Sequence, residues 1–218
     1  MNIGLVSDSQ GDIDALERAC HLLLEKSGAE RVLFLGNRWT DVDELVQRKR
    51  EAKRGRPDYG DQDFLADVAG FVAKSAEAEK GGVKHLLMKD EIEAFASRFT
   101  RVPDKDSLQY RDPAIPRILP DMLGDRLSCL VHDKADLKRE DIEVVTFVLH
   151  GNSKEPNVVQ IGPRYFLTPG KVAGTTSPTC ALVRSAAEGM EFVALDLDGR
   201  LLKKVPLPVG MRAKVTAR

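Results

Sequence analysis

Tryptophan occurs once, at position 39; aromatic residues make up only 6% of the chain, and cysteine occurs three times. Cys20, Cys129 and Cys180 are far apart and odd in number, so neither a disulfide framework nor a thiolate metal cluster fits them. Each reads as packing rather than as a reactive thiol. No stretch approaches the roughly 18 apolar residues that span a bilayer, so membrane insertion is not expected. The opening MNIGLVSDSQGD has no basic segment followed by an apolar one, so secretion is not expected and a cytoplasmic home is the default. Nor is there an excess of one charge. Lysine and arginine number 33 against 34 acids, a net charge of -1, which argues against a globally basic nucleic-acid binder. What is present is a 42% hydrophobic and 31% charged chain of 218 residues, long enough for a sizeable core.

Residues 2–7 are rich in Ile, Leu and Val and predict a buried strand ending at Asp8. Ile13, Leu16, Ala19, Cys20, Leu23 and Leu24 then share one helical face, with Gly28 as the stop. RVLFL at 31–35 predicts a second strand, so the first 35 residues read as a βαβ unit with parallel strands. Two helices are expected within 40–82, the first capped by Thr40 or Asp41 and strongly basic over 48–56. A strand at 84–88, a helix at 90–98 and a proline-rich surface loop at 101–120 follow. LSCLV at 127–131 and VVTFVL at 144–149 predict buried strands flanking a short polar helix at 137–141. Runs at 165–168, 181–184, 192–195 and 201–205 read as an antiparallel series, and 210–218 as a basic, frayed end.

In open α/β sheets, ligands sit beyond the carboxyl ends of the strands. The polar residues at those positions are Asp8, Ser9 and Gln10; Asn37, Arg38 and Trp39; His132, Asp133 and Lys134; Asn152, Ser153 and Lys154; and Thr168 followed by Pro169, Gly170 and Lys171. His150 is expected to face away from this rim. Arg38, Lys134, Lys154 and Lys171 are candidate anion ligands, or a solvated basic rim.

The segments IGLVSDSQGD at 3–12, VLFLGN at 32–37, LSCLVHD at 127–133, VLHGNSKEP at 148–156 and FLTPGKV at 166–172 stand in the order of the calcineurin-like metallophosphoesterases. The chain resembles the small bacterial phosphodiesterase branch of that superfamily. The resemblance implies a single α/β domain over 1–218: a four-layer sandwich of two facing mixed β-sheets flanked by helices, with a helical insertion at about 40–82. The family holds two divalent metals about 3.5–4 Å apart, which clamp a phosphate and a bridging hydroxide.

Against the family's motifs, Asp8 matches the first carboxylate and His132 a metal-ligand histidine. Gln10 stands where Asp-x-His has its histidine, Asn37 where the bridging aspartate belongs, and Asn152 and Lys154 where Gly-His-x-His supplies two more. The Gly-Asn-His-Asp/Glu segment, with the family's proton donor, has no equivalent; MKDE at 88–91 shares almost nothing with it. A neutral amide cannot offset the repulsion of two dications, and a protonated lysine has no lone pair to give a metal. Lys154 beside Asp8 could instead substitute for a missing metal charge.

The expectation is therefore a catalytically inactive relative with no metal and no cofactor, serving as a binding, scaffold or regulatory protein. Its partner is expected to be a protein, reached through the insertion at 40–82. The alternatives are an active phosphoesterase that uses Mn²⁺ or another divalent metal on Asp8, Asn37, His132 and Asn152, or a metal-free binder of a phosphorylated ligand. The basic run at 48–56 has no interleaved aromatics and is followed by Asp58, Asp61 and Asp63, which makes nucleic acid a poor candidate. Oligomeric state stays open.

Overall fold

The computed structural model describes residues 1–36, 38, 40–54, 99–101, 118–187 and 189–208. The expected elements at 61–82, 84–88 and 90–98, the loop residues 102–117 and the terminus 210–218 lie outside the described residues, as do Asn37 and Trp39. The chain divides into two compact units, Met1–Val42 with Thr100–Arg218, and Asp43–Phe99.

The first unit begins with β1 (Asn2–Val6), buried on both faces after Ile3. Asp12 then starts α1 (Ile13–His21), its carboxylate accepting the Ala15 N–H at 2.9 Å. One π-helical turn (Leu22–Lys26) continues it. This helical layer lies on the outer face of the strand, where Gly4 makes room for it: a Cβ there would come within 3.0 Å of Leu23 Cδ1. β2 (Arg31–Phe34) returns parallel to β1, as the sequence pattern predicts. α2 (Thr40–Arg54) follows and runs on into the second unit.

Two strands escape the sequence reading here. β3 (Phe99–Arg101) extends the first sheet, and β4 (Ile118–Leu123) emerges from what reads as a proline-rich loop. Pro120 is tolerated in β4 because that strand lies at a sheet edge, where a missing N–H breaks no ladder. β5 (Arg126–Val131) pairs antiparallel with β4 and parallel with β6 (Phe147–His150). A 3₁₀ turn (Lys134–Asp136) and α3 (Arg139–Glu143) connect those two strands. β6 begins three residues later than its apolar run suggests, because Val144 terminates α3 and stays exposed.

β7 (Pro156–Ile161), also unforeseen, forms a hairpin with β8 (Arg164–Pro169), and β8 pairs parallel with β6. The expected antiparallel series is thus divided between two sheets. β9 (Thr179–Ala186) crosses back to pair antiparallel with β1, and β10 (Gly189–Asp196) and β11 (Leu201–Leu207) add to it in turn. The orders are β11-β10-β9-β1-β2-β3 and β4-β5-β6-β8-β7.

Side-chain alternation sorts the apolar residues into layers. Ile3, Leu5, Leu33, Leu35, Val183 and Phe192 of the first sheet meet Leu130, Phe147, Leu149, Tyr165 and Leu167 of the second in one buried cluster. The intervening Cys129, Val131 and Val148 face outward onto Leu137 and Ile142 of the connecting helices. Helix, sheet, sheet and helix make the expected four-layer sandwich.

In the second unit the described part of α2 carries its own charge pairing. Arg48 bridges Glu44 at 3.1 Å and Gln47 donates to Glu51 at 2.9 Å, both one helical turn apart.

Phe147 is fully buried between the sheets, with its ring centroid 5.9 Å from that of Tyr165. Replacing Phe147 with Ala is expected to lower unfolding free energy by about 3–5 kcal/mol. Val144→Ala, at a residue 72% exposed, should change it by less than about 0.5 kcal/mol; urea titrations of both variants check the pair.

Candidate functional site

Three loops that follow β1, β5 and β6 converge on one carboxylate. Asp8 is 2% exposed. Its Oδ2 accepts the backbone N–H of Asn152 at 3.1 Å, and its Oδ1 lies 3.8 Å from His132 Nδ1. That nitrogen points at the Leu35 carbonyl, 2.9 Å away. A carbonyl can only accept, so Nδ1 carries the proton and Nε2 the lone pair of the neutral ring. Gly151 allows the loops to come this close: a Cβ there would stand 2.2 Å from Leu35 O and 2.9 Å from His132 Nδ1.

Among the described residues, the non-glycine residues with positive φ are Asp8 (50°), Gln10 (50°) and Asn152 (47°). All three stand at this rim, and each is a position where the family resemblance puts a metal ligand. Left-handed backbone at such residues costs on the order of 1–2 kcal/mol each and persists only where the surroundings hold it.

The side chains at the other expected ligand positions turn to protein partners. Asn152 donates from Nδ2 to Asp133 Oδ2 at 2.9 Å, away from Asp8. Gln10 lies over the loop after β8, so close to Gly174 that a Cβ on that glycine would be 2.2 Å from Gln10 Oε1. Lys154 makes no ion pair with Asp8 among the described residues, and the idea that its ammonium sits beside that carboxylate is corrected. It lines a cleft of about 390 Å³ with Lys171, Gly174, Thr175 and Thr176. Among the described residues no group of three or more His, Cys, Asp and Glu side chains could hold a metal ion. Asp8 and His132 are brought together; Asn37 is outside the described residues.

The sequence reading missed the second buried carboxylate of the rim. Asp41, read only as a possible helix cap, is 2% exposed. Its Oδ2 accepts from Ser9 Oγ at 2.6 Å and from Gly11 N at 2.8 Å, and Arg38 Nε lies 3.5 Å from Oδ1. Arg38, a candidate anion ligand, is therefore already charge-paired. Lys134 is exposed in the 3₁₀ turn after β5. An acid following a possible cap threonine gives no sequence signal that its partners lie some 30 residues upstream.

The cysteines are all buried. Burial, with a smaller contribution from Asp141, pushes the Cys129 thiol up to about 11, and burial with Asp196 pushes Cys180 up to about 12. Neither forms a thiolate at neutral pH.

Burial holds the His150 imidazolium below its ordinary pKa range. The hydrogen bond to the Gly151 carbonyl opposes this, the charge of Lys134 reinforces it, Asp133 opposes it and His132 adds a little. The unfolded chain then binds the proton more readily than the folded one, so stability is present above about pH 6.5 and is lost as pH falls through the folded value. Urea midpoints at pH 8 and pH 5.5 should show this loss, and His150→Asn, which cannot titrate, should reduce it. Asp41→Ala leaves Ser9 and Gly11 without their acceptor and should cost about 2–3 kcal/mol; Asp41→Asn, which keeps an acceptor oxygen, should cost less in the same titration.

No protein-family model matches the sequence, and no curated protein matches it by sequence comparison. Solved structures do resemble the fold. YfcE, a phosphoesterase from E. coli, is 16% identical, with a TM-score of 0.55 over 96% of this chain and 100% of that one. A predicted phosphoesterase from Streptococcus pneumoniae is 14% identical, with a TM-score of 0.51 over 94% and 97%. Vps29 from Chaetomium thermophilum is 14% identical, with a TM-score of 0.51 over 94% and 96%. The chain has the calcineurin-like metallophosphoesterase fold.

Proposed function

We propose that this metallophosphoesterase-fold chain does not hydrolyse phosphoesters and acts instead by binding, as a metal-free scaffold or regulatory protein in the cytoplasm. The observation that carries this reading is the state of Asp8. The carboxylate that would take the first metal accepts the Asn152 amide at 3.1 Å, while the Asn152 side chain is turned onto Asp133. The neighbouring positions point the same way. Position 37 offers a neutral amide where two dications need a bridging carboxylate, and position 154 an ammonium with no lone pair to donate. His132 retains a ligand-competent Nε2, but one imidazole and one carboxylate do not make a two-metal clamp.

The fold is compatible with binding as well as with hydrolysis, since similar structures include both phosphoesterases and a vacuolar protein-sorting protein. In this reading the partner is a protein, and it is met by the segment 40–82. The described start of that segment, α2, buries Val42, Leu45 and Val46 and is strongly charged over its second half.

Hydrolysis of bis-p-nitrophenyl phosphate with added Mn²⁺ should stay at the buffer rate, and Asp8→Asn should leave it there. Manganese-dependent turnover that is lost in Asp8→Asn or His132→Ala would show a working catalyst and overturn the reading.

A further inference from the structure

The cleft beside the rim has the chemistry of an anion receptor. Lys154, exposed, approaches from the loop after β6, and Lys171, half-buried, from the loop after β8. Gly174, Thr175 and Thr176 complete the lining. Neither ammonium is paired with a carboxylate among the described residues, unlike Arg38, which Asp41 engages. The backbone amides of Gly174, Thr175 and Thr176 donate to no described residue. Gly174 has φ +66°, the left-handed turn that lets successive N–H groups converge on an anion. Two lysines, two threonines and a glycine therefore line one cleft, whose volume of about 390 Å³ falls in the range of small-ligand sites, about 300–1,000 Å³; the Thr175 hydroxyl accepts the Ser177 N–H at 3.3 Å and keeps its own proton to donate.

The receptor is also anchored to the rim. Lys171 accepts the Thr179 N–H through its carbonyl at 2.8 Å, and Val172 donates to Ser7 O at 3.1 Å. Gln10 packs against Gly174. Lys171 thus stands on a loop fixed at both ends, so little ordering of that loop is needed when a ligand arrives.

We propose that this cleft is a metal-independent site for the phosphate group of a small organic molecule, with Lys154 and Lys171 as the charge partners and Thr175, Thr176 and their amides as neutral donors. The proposal rests on the metal-free reading above, in which Lys154 is a ligand-binding residue and not a displaced metal ligand. It adds to that reading a small-molecule site separate from the segment 40–82 that meets the protein partner.

The test is an amide-resonance titration of the full chain in EDTA with inorganic phosphate, adenosine 5′-monophosphate and adenosine. Phosphate and the monophosphate should give saturable shifts at 174–176, the monophosphate the larger affinity, and adenosine none. Lys154→Ala and Lys171→Ala should each weaken binding by about tenfold, as expected for removing one charge-assisted contact. Lys154 is exposed, so its variant keeps the fold and reports on the site even if the half-buried Lys171 does not tolerate change. Absence of saturable shifts with or without Mn²⁺ would overturn the site and leave the metal-free reading standing. Equal binding of adenosine, or shifts unchanged in both variants, would also overturn it. Binding that appears only with Mn²⁺ would overturn the site and the metal-free reading together.

Discussion

The carboxyl ends of the two sheets meet backbone to backbone at Gly151, and the rest of the rim is built around that contact. The Leu35 carbonyl, at the end of β2 in one sheet, is approached by His132 Nδ1 from the other sheet at 2.9 Å and by Ser7 Oγ at 3.5 Å. Gly151 itself donates to Val131 O at 3.2 Å. A side chain on this residue would overlap Leu35 O, Ser7 Oγ and His132 Nδ1 at once. Only because that volume is empty can the next residue bring its amide to Asp8. The left-handed conformations of Asp8 and Asn152 follow from the same closure, since each turn must fold the chain back sharply after its strand.

From this junction, order spreads outward through groups that are each satisfied by the protein. Asp41 gathers Ser9 and Gly11 and is balanced by Arg38, so the loop after β1 is held at both its hydroxyl and its amide. On the other side, Thr179 Oγ1 donates to Pro169 O at 2.7 Å, and a Cβ on Gly170 would strike that same hydroxyl at 2.3 Å. The loop after β8 is therefore clamped where the chain leaves one sheet for the other. Buried hydrogen bonds of this kind act less by their net energy, about 1 kcal/mol each, than by the larger cost of leaving any one unmade.

The elements readable in the sequence are those whose burial is two-sided. β1, β2, β5 and β6 are nearly continuous apolar runs closed by a polar residue or a glycine, and α1 shows a single apolar stripe. The strands that escape are edges. β7 buries little of its length and carries Asn157 and Gln160, and β4 contains Pro120. The sheet to which each later strand belongs is set by the clamped turn at Pro169 and Gly170, a tertiary decision that no local pattern records. At the rim, the positions of Asp8, His132 and Asn152 were legible because they follow strands. Where the side chains of Asp8 and Asn152 point was not, because a left-handed residue sends its side chain elsewhere than an extended one would. Asp41 was invisible for a related reason: local rules assign it to its own helix, while its hydrogen-bond partners come from the loop after β1.

The polar groups at the rim are largely engaged by the protein itself. A two-metal centre concentrates carboxylates whose mutual repulsion only cations relieve. Here Asp8 faces an amide and Asp41 an arginine, while the side-chain amide of Asn152 donates to Asp133 and Gln10 packs against Gly174. No cluster of uncompensated acids remains among the described residues to attract a dication. The charges that do reach solvent from the loops after β5, β6 and β8 include Lys134, Lys154 and Lys171. Asp8 meets a backbone amide and Asp41 an arginine, while the contact at Gly151 and the inter-sheet core depend on neither carboxylate; the sandwich therefore holds the rim's backbone in place whatever side chains the rim carries.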